Sequence, residues 1–319
     1  MKLLFLRGHV PFDRPARQIM FDRLRDCDDL WTQLAAALVY EGDYGEIWYE
    51  KGNRVARYRS NFIERWVPRI HKVRPSFTPD VLFVRGGFDY QVAEARRQKT
   101  AFRIYYGAGE RTVPRRGQPW DLVLVDTLQQ HDRARAHGYR AELWRKPAAE
   151  NIFHPATVDV PKKYDVIYVA NYNPNAYKGH DFLLSRLAGH RVLQLGEFRG
   201  GWAKRFPYVE FVGRRPRKLF PGFYGQAKIA LIMTRGKDSA PRVLPEALAC
   251  NCPILVSMGT KIARDAYITP ETGRSFTRDD FREALADILA RWNSFSPRRY
   301  YDAQLSMARA VSFIRESIR

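Results

Sequence analysis

Residues 228–258, KIALIMTRGKDSAPRVLPEALACNCPILVSM, constrain the fold of this chain more than any other stretch. Two short apolar runs, Ile229–Met233 and Pro253–Met258, flank a polar loop and the helix-forming Ala247-Leu248-Ala249-Cys250. Buried strands on either side of a helix make a parallel β-α-β unit. Pro245 lacks an N–H and clashes with a preceding helical turn, so the helix is expected to start near Leu244 with Pro245 in its first turn. That leaves Asp238–Val243 as a polar loop and puts Glu246 in the opening turn. In such units ligands bind beyond the carboxyl ends of the strands, which here is the place of Asp238, Ser239 and Glu246.

The rest of the chain repeats this rhythm. Expected strands in the first half are Lys2–Leu6, Glu46–Tyr49, Val81–Val84, Phe102–Tyr106, Leu122–Val125 and Ala141–Trp144, with helices such as Leu30–Tyr40 and Leu128–His137 between them. Tyr164–Asn171, Val192–Leu195, Val209–Val212, Lys228–Met233 and Ile254–Ser257 continue the series, with a helix over His180–Leu187. Alternation of this kind predicts α/β architecture with doubly wound parallel sheets. At 319 residues the chain is long for a single core, so about two domains are expected. No run approaches the length of a spanning helix, and MKLLFLRGHVPFD is too short and too soon charged for a secretory signal. Three cysteines, Cys27, Cys250 and Cys252, cannot build a disulfide framework. They also lack the neighbouring ligands a zinc site needs, so reduced thiols and a cytoplasmic setting are expected.

Asp238 and Glu246, eight residues apart, together with the following EALACNCPILVS, resemble the Glu-x7-Glu motif of family-4-like retaining glycosyltransferases. The resemblance covers most of residues 120–319; the first 115 match mainly in rhythm. It implies the GT-B fold: two Rossmann-like domains facing across a cleft, with a C-terminal helix crossing back to the first. The passage Trp120–Pro155 resembles the family's exit from the first domain. A hinge near Asn151–Lys163 then gives residues 1–155 as an acceptor-side domain, 156–296 as a nucleotide-sugar donor domain, and 297–319 as the returning helix, with Pro297 as the break before it. Family members usually carry Gly-Arg and Lys-Gly after the first strand of the donor domain, where Arg and Lys contact the diphosphate. Lys178-Gly179 fits, but Ala170-Asn171 stands where Gly-Arg is expected, which leaves Arg235 or Lys237 to supply the missing contact. Gly196-Glu197 and Gly213-Arg214 follow their strands as the family's base- and ribose-side turns do.

A departing diphosphate needs cationic groups and oriented amides held dry. Lys178, Arg235, Lys237 and the backbone after Ser239, through Ala240 and Pro241, are the candidates. Glu246 suits two hydrogen bonds to a ribose diol. Asp238 faces the transferred sugar, in a chemical or a binding role. Gly8, after the first strand, is where the family admits donor phosphate or acceptor. Glu110, in Gly107-Ala108-Gly109-Glu110, stands where the family often has a His, as a sugar contact, a base or a surface turn. The resemblance points to front-face transfer with retention. No Asp-x-Asp signature follows a strand, so no cofactor and no metal is expected, the nucleotide-sugar, such as a UDP-sugar, being a co-substrate.

The net charge of +20, from 54 basic and 34 acidic residues, bears on partners rather than on fold. The first fifty residues are net acidic, yet 51–74 hold Lys51, Arg54, Arg57, Arg59, Arg65, Arg69, Lys72 and Arg74 against Glu64 alone. Tyr58, Phe62 and Trp66 recur at four-residue spacing, which reads as the apolar face of a basic helix. Arg115-Arg116 forms a second cluster. Arg214, Arg215, Arg217 and Lys218, preceded by Lys204 and Arg205, form a third. Two acceptors fit. One is DNA, gripped by its phosphates, with a hydroxylated base such as a hydroxymethyl-pyrimidine flipped out for glycosylation; phage enzymes that glycosylate DNA share the GT-B fold. The other is a lipid-linked or envelope glycan, with Arg54–Arg74 as an interfacial helix on an anionic membrane. The Arg character tips the balance to DNA, because Arg forks onto phosphate. A basic module that only binds nucleic acid and a nucleotide-sugar epimerase are the remaining readings.

Overall fold

The computed structural model describes residues 2–7, 30–40, 44–51, 54–59, 62–68, 77–86, 89–99, 101–107, 112–156, 160–172, 178–234, 241–260 and 266–319; for 44–51, 54–59 and 62–68 the backbone alone is described. Within this set the chain forms two compact units, Met1–Trp144 with Met307–Arg319, and Arg145–Ser306.

The first unit is built on β1 (Lys2–Arg7), whose Leu3-Leu4-Phe5-Leu6 run is completely buried. A strand apolar on both faces belongs in the middle of a parallel sheet. β1 pairs in parallel with β2 (Tyr44–Lys51) on one side and β5 (Val81–Arg85) on the other. The Phe5 and Phe83 rings stack across that register at 4.8 Å. β6 (Phe102–Tyr106), β7 (Leu122–Val125) and β8 (Ala141–Leu143) continue the parallel order outward from β5. α1 (Leu30–Tyr40), α2 (Asp89–Arg97) and α3 (Leu128–Ala136) lie in the connections, and Thr127 caps α3 through the Gln130 amide at 3.2 Å. Such a cap satisfies a donor the helix itself leaves open.

Beyond β2 the sheet departs from the expected basic helix. Residues 54–59 and 62–68 are strands, β3 (Arg54–Arg59) and β4 (Phe62–Pro68), added antiparallel with Arg57 opposite Arg65 in register. A four-residue spacing is a multiple of the strand period as well as close to one helical turn. The segment's Val, Ile, Tyr, Phe and Trp content favours the strand. Two-residue links, Gly52-Asn53 and Ser60-Asn61, are of hairpin composition.

The second unit holds a sheet whose described strands are all parallel. Their order is β11 (Val209–Gly213), β10 (Val192–Leu195), β9 (Tyr164–Val169), β12 (Ala227–Ile232), β13 (Ile254–Ser257), β14 (Gly273–Phe276). This is the doubly wound order, with its reversal between β9 and β12. Val166, Tyr168, Ile229, Leu231 and Leu255 form the core with Leu183, Leu187, Phe281 and Ile288 from the covering helices. Each such side chain contributes about 1.5–3 kcal/mol on full burial. The helices are α4 (His180–Leu184), α5 (Trp202–Arg205), α6 (Phe220–Gly225), α7 (Val243–Ala249), α8 (Phe281–Ala290) and α9 (Pro297–Gln304). α7 carries Pro245 in its first turn, where its missing N–H costs nothing.

The single closing helix expected after Pro297 is two helices. α9 belongs to the second unit, where the Tyr301 hydroxyl accepts from the Ala148 amide at 3.0 Å and donates to Glu150 at 2.9 Å. α10 (Met307–Ile318) belongs to the first and buries Met307, Ala310, Val311 and Ile314, one face of a helix.

Gly273 opens β14 at φ 153°, and a Cβ there would lie 1.9 Å from the Ile254 carbonyl oxygen. Gly273→Ala is therefore expected to lower the unfolding free energy in urea by roughly 1–3 kcal/mol. Gly222→Ala, helical with nothing within 4 Å of the added carbon, should move it by less than about 1 kcal/mol.

Candidate functional site

The reversal between β9 and β12 sends consecutive connections to opposite faces of the sheet, so a crevice opens at the carboxyl ends of these two strands. The turns around it are stitched together by main-chain bonds. After β9, the Ala170 amide donates to the Leu195 carbonyl at 2.9 Å and the Tyr172 amide to the Glu197 carbonyl at 2.7 Å. Asn171, standing where an arginine was expected, accepts the Glu197 amide through Oδ1 at 3.0 Å. Its side chain braces the turn that follows β10. Gly196 has φ 116°, and a Cβ there would sit 2.6 Å from the Ala170 carbonyl oxygen. Its amide donates to the Gly213 carbonyl at 2.9 Å, which joins the turns after β10 and β11. Beneath them the buried Gln194 donates Nε2 to the Ala170 carbonyl at 2.7 Å.

Lys178 and Gly179 enter the same crevice from the start of α4. The Tyr168 hydroxyl donates to the Lys178 carbonyl at 2.5 Å, which fixes the lysine backbone on β9. Gly179 is left-handed at φ 70°, and a Cβ would lie 2.3 Å from the Met233 sulfur. The left-handed backbone favours glycine here, and an added Cβ would have to push the Met233 side chain aside. Met233 and Thr234 lead into the segment that carries Arg235, Lys237, Asp238, Ser239 and Ala240, all outside the described residues, as are Gly8, Glu110, Arg69 and Lys72. Thr234 accepts no hydrogen bond at its buried Oγ1 among the described residues, while its amide donates to Thr260 Oγ1 at 3.2 Å.

On the far side of that segment, Pro241 and Arg242 precede α7. Every residue of α7 from Leu244 to Ala249 is buried, and Glu246 is the charged one among them, its side chain 5% exposed. Glu246 Oε1 accepts from Arg217 Nη2. Arg217 lies in a single turn of 3-10 helix ahead of α6, and its guanidinium sits 5.0 Å over the Phe153 ring. Sequence reading had grouped Arg217 with a surface cluster.

The third basic cluster is partly neutralised in place. Arg214 pairs with Glu197 at 2.9 Å and Arg205 with Asp181 at 3.0 Å, leaving Lys204, Arg215 and Lys218 on the surface. In the first unit, Arg116 donates to the Ala136 carbonyl at 2.8 Å and the Arg115 carbonyl accepts from the Tyr139 hydroxyl, so this exposed pair is pinned to the end of α3. Arg54, Arg57, Arg59 and Arg65 lie on β3 and β4. Burial pushes the Cys252 thiol up to about 12 and raises Cys250 as well, so neither is a nucleophile.

The architecture now has company among solved structures. A sucrose-phosphate synthase from Thermosynechococcus elongatus superposes with a TM-score of 0.68 at 13% identity, covering 99% of this chain and 97% of that one. A glycosyltransferase from Rickettsia africae gives 0.67 at 11%, over 99% and 97%. Anabaena HepE, solved with UDP and glucose, gives 0.61 at 12%, over 100% and 99%. The fold is GT-B. In sequence, no protein-family model matches the chain and no curated protein does. The GT-B element order thus carries over the whole chain while the sequence has diverged far.

His180, beside the crevice, is boxed in by Tyr168, Tyr172 and Trp202 with ring centroids at 5.1, 6.1 and 5.2 Å. Burial lowers its pKa from 6.5 to about 4, against a weaker raising effect of the Ala170 carbonyl. The unfolded chain therefore takes up this proton first. Stability is fully present above 6.5 and is lost as the pH falls toward 4, by roughly 3 kcal/mol. Urea unfolding at pH 7.5 and 4.5 should show an acid-induced loss smaller by about that amount in His180→Gln.

Proposed function

We propose that the chain is a retaining glycosyltransferase that moves a sugar from a nucleoside-diphosphate donor to a hydroxyl on a polyanionic acceptor. The observation that supports this reading is the strand order of the second unit, with its switch point between β9 and β12, Gly179 packed against Met233 after β12, and Glu246 buried in α7. HepE, of the same fold, was solved with UDP and with UDP-glucose.

Glu246 accepts the hydroxyls of the nucleotide ribose. Lys178, with Arg235 and Lys237, neutralises the charge that grows on the diphosphate as the bond from the anomeric carbon to phosphate oxygen breaks and its electron pair moves to the leaving group. The acceptor oxygen attacks from the same face, and its proton passes to the departing phosphate oxygen. Asp238 faces the sugar and steadies its cationic character. Fixed positive charge of this kind is worth most where the site is dry and the groups are already in place.

For the acceptor we favour a hydroxylated base in DNA. The lipid alternative rested on an interfacial helix over Arg54–Arg74, and that segment is strand over its described residues. The Arg-rich β3 and β4, with Arg115 and Arg116, would grip phosphates, and a base swung out of the duplex would meet the sugar. Localisation is then the compartment that holds the DNA.

Two measurements test the proposal. Incubation with UDP-sugars and hydroxymethyl-pyrimidine DNA, followed by digestion to nucleosides, should show a mass gain of one sugar. Lys178→Ala should cut that rate by roughly 10²-fold. Mass gain only on anionic lipid-linked glycans would overturn the DNA acceptor, and no transfer from any donor would overturn the enzyme. For DNA binding, Arg54→Ala with Arg57→Ala and Arg59→Ala should flatten the slope of log affinity against log salt by about 0.9 per lost phosphate contact.

A further inference from the structure

We infer that Arg217 is the positioning residue for Glu246, holding Oε1 so that Oε2 is presented to the nucleotide ribose. This rests on the proposed role of Glu246.

α7 is apolar at every other position from Val243 to Ala249, so a carboxylate there is out of place unless it has work to do. Burying a carboxylate is unfavourable without a counter-ion, and a buried ion pair is no more stabilising than a well-packed apolar pair. Stability alone therefore does not explain the arrangement. The counter-ion is a guanidinium, which is planar and delivers its N–H groups in fixed directions. Two contacts set its position, and a third supports the ring beneath it. Glu246 Oε1 accepts from Nη2, the ring of Phe153 lies under the guanidinium at 5.0 Å, and Phe220 meets Phe153 edge-on at 6.4 Å. The backbone of Arg217 is held in a 3-10 turn that runs into α6. Against this clamp Oε2 has no hydrogen-bond partner among the described residues, although Glu246 is nearly buried. One oxygen is fixed and the other is left to accept, which is the orientation that a pair of adjacent hydroxyls requires. Arg217 itself need not touch the ligand.

Isothermal titration of the full chain with UDP, GDP, dTDP and ADP identifies the tightest nucleotide, which then serves as probe. Glu246→Gln should weaken its Kd about tenfold. Arg217→Met should weaken it by a similar factor. The double variant should bind no worse than Glu246→Gln alone, because with the carboxylate gone there is nothing left to position. Arg217→Lys keeps the charge but loses the fork, and should weaken binding about threefold with an unfolding midpoint near wild type. That variant carries the test if Arg217→Met fails to fold. A Kd unchanged in both Arg217 variants while Glu246→Gln is weakened overturns the positioning role alone, as do additive losses in the double variant. A Kd unchanged in Glu246→Gln overturns the ribose role of the carboxylate and the positioning role with it. No binding of any of the four nucleotides by the wild type overturns the nucleotide-sugar reading itself.

Discussion

The second unit depends on one packing constraint: β9 and β12 are both buried on two faces and must lie side by side in parallel. Tyr164–Val169 and Ala227–Ile232 are apolar and buried over most of their length, and their charged residues, Asp165 and Lys228, pair with each other at the amino ends. Each needs helices above and below, and so the connections must leave in opposite directions. Polar residues have nowhere to go in this arrangement except the strand ends. The crevice at the carboxyl edge is thus a by-product of burying the strands, and the loops around it inherit a rigid floor from it. Gly179 shows how tight that floor is. The start of α4 meets the Met233 side chain after β12 through a glycine in the left-handed region.

The same logic explains which substitutions in the site the fold tolerates. After β9 this chain has Asn171, whose Oδ1 accepts the Glu197 amide and braces the turn. The turn keeps its shape, and Glu197 in turn holds Arg214. Glu246 is placed differently. It is carried by a buried helix, opposed by Arg217, and depends on side-chain pairing rather than on main-chain stitching for its orientation.

Much of this was legible in residues alone, for reasons that can be named. Apolar runs such as Leu122–Val125 and Ile254–Ser257 declare themselves because a buried parallel strand has no polar face to confuse the pattern. Pro245 fixed the start of α7 through the missing N–H. Periodicity failed where two periods coincide: Tyr58, Phe62 and Trp66 are spaced by four, which suits a helix and is also an even number of strand residues. The Val, Ile, Tyr, Phe and Trp content of the segment is what favours the strand. Leu305 and Ser306, between α9 and α10, interrupt what looked like one amphipathic helix, because the buried faces on either side serve different cores. Pairing over long sequence distances was out of reach. Nothing near Arg217 announces a partner 29 residues away, and a run of Arg214, Arg215, Arg217 and Lys218 reads as a surface patch until the fold separates its members.

That separation matters for what a charge of +20 means. Net charge counts all cations alike, yet Arg205, Arg214 and Arg217 are each held by a carboxylate within the fold. A paired guanidinium has lost most of its capacity to release counter-ions from a polyanion, so such residues add little to phosphate binding. β3 and β4 are another matter, because Lys51–Arg74 carries a single acid among its basic residues. An edge of a sheet that bears many cations resists pairing with another sheet, which keeps such an edge soluble.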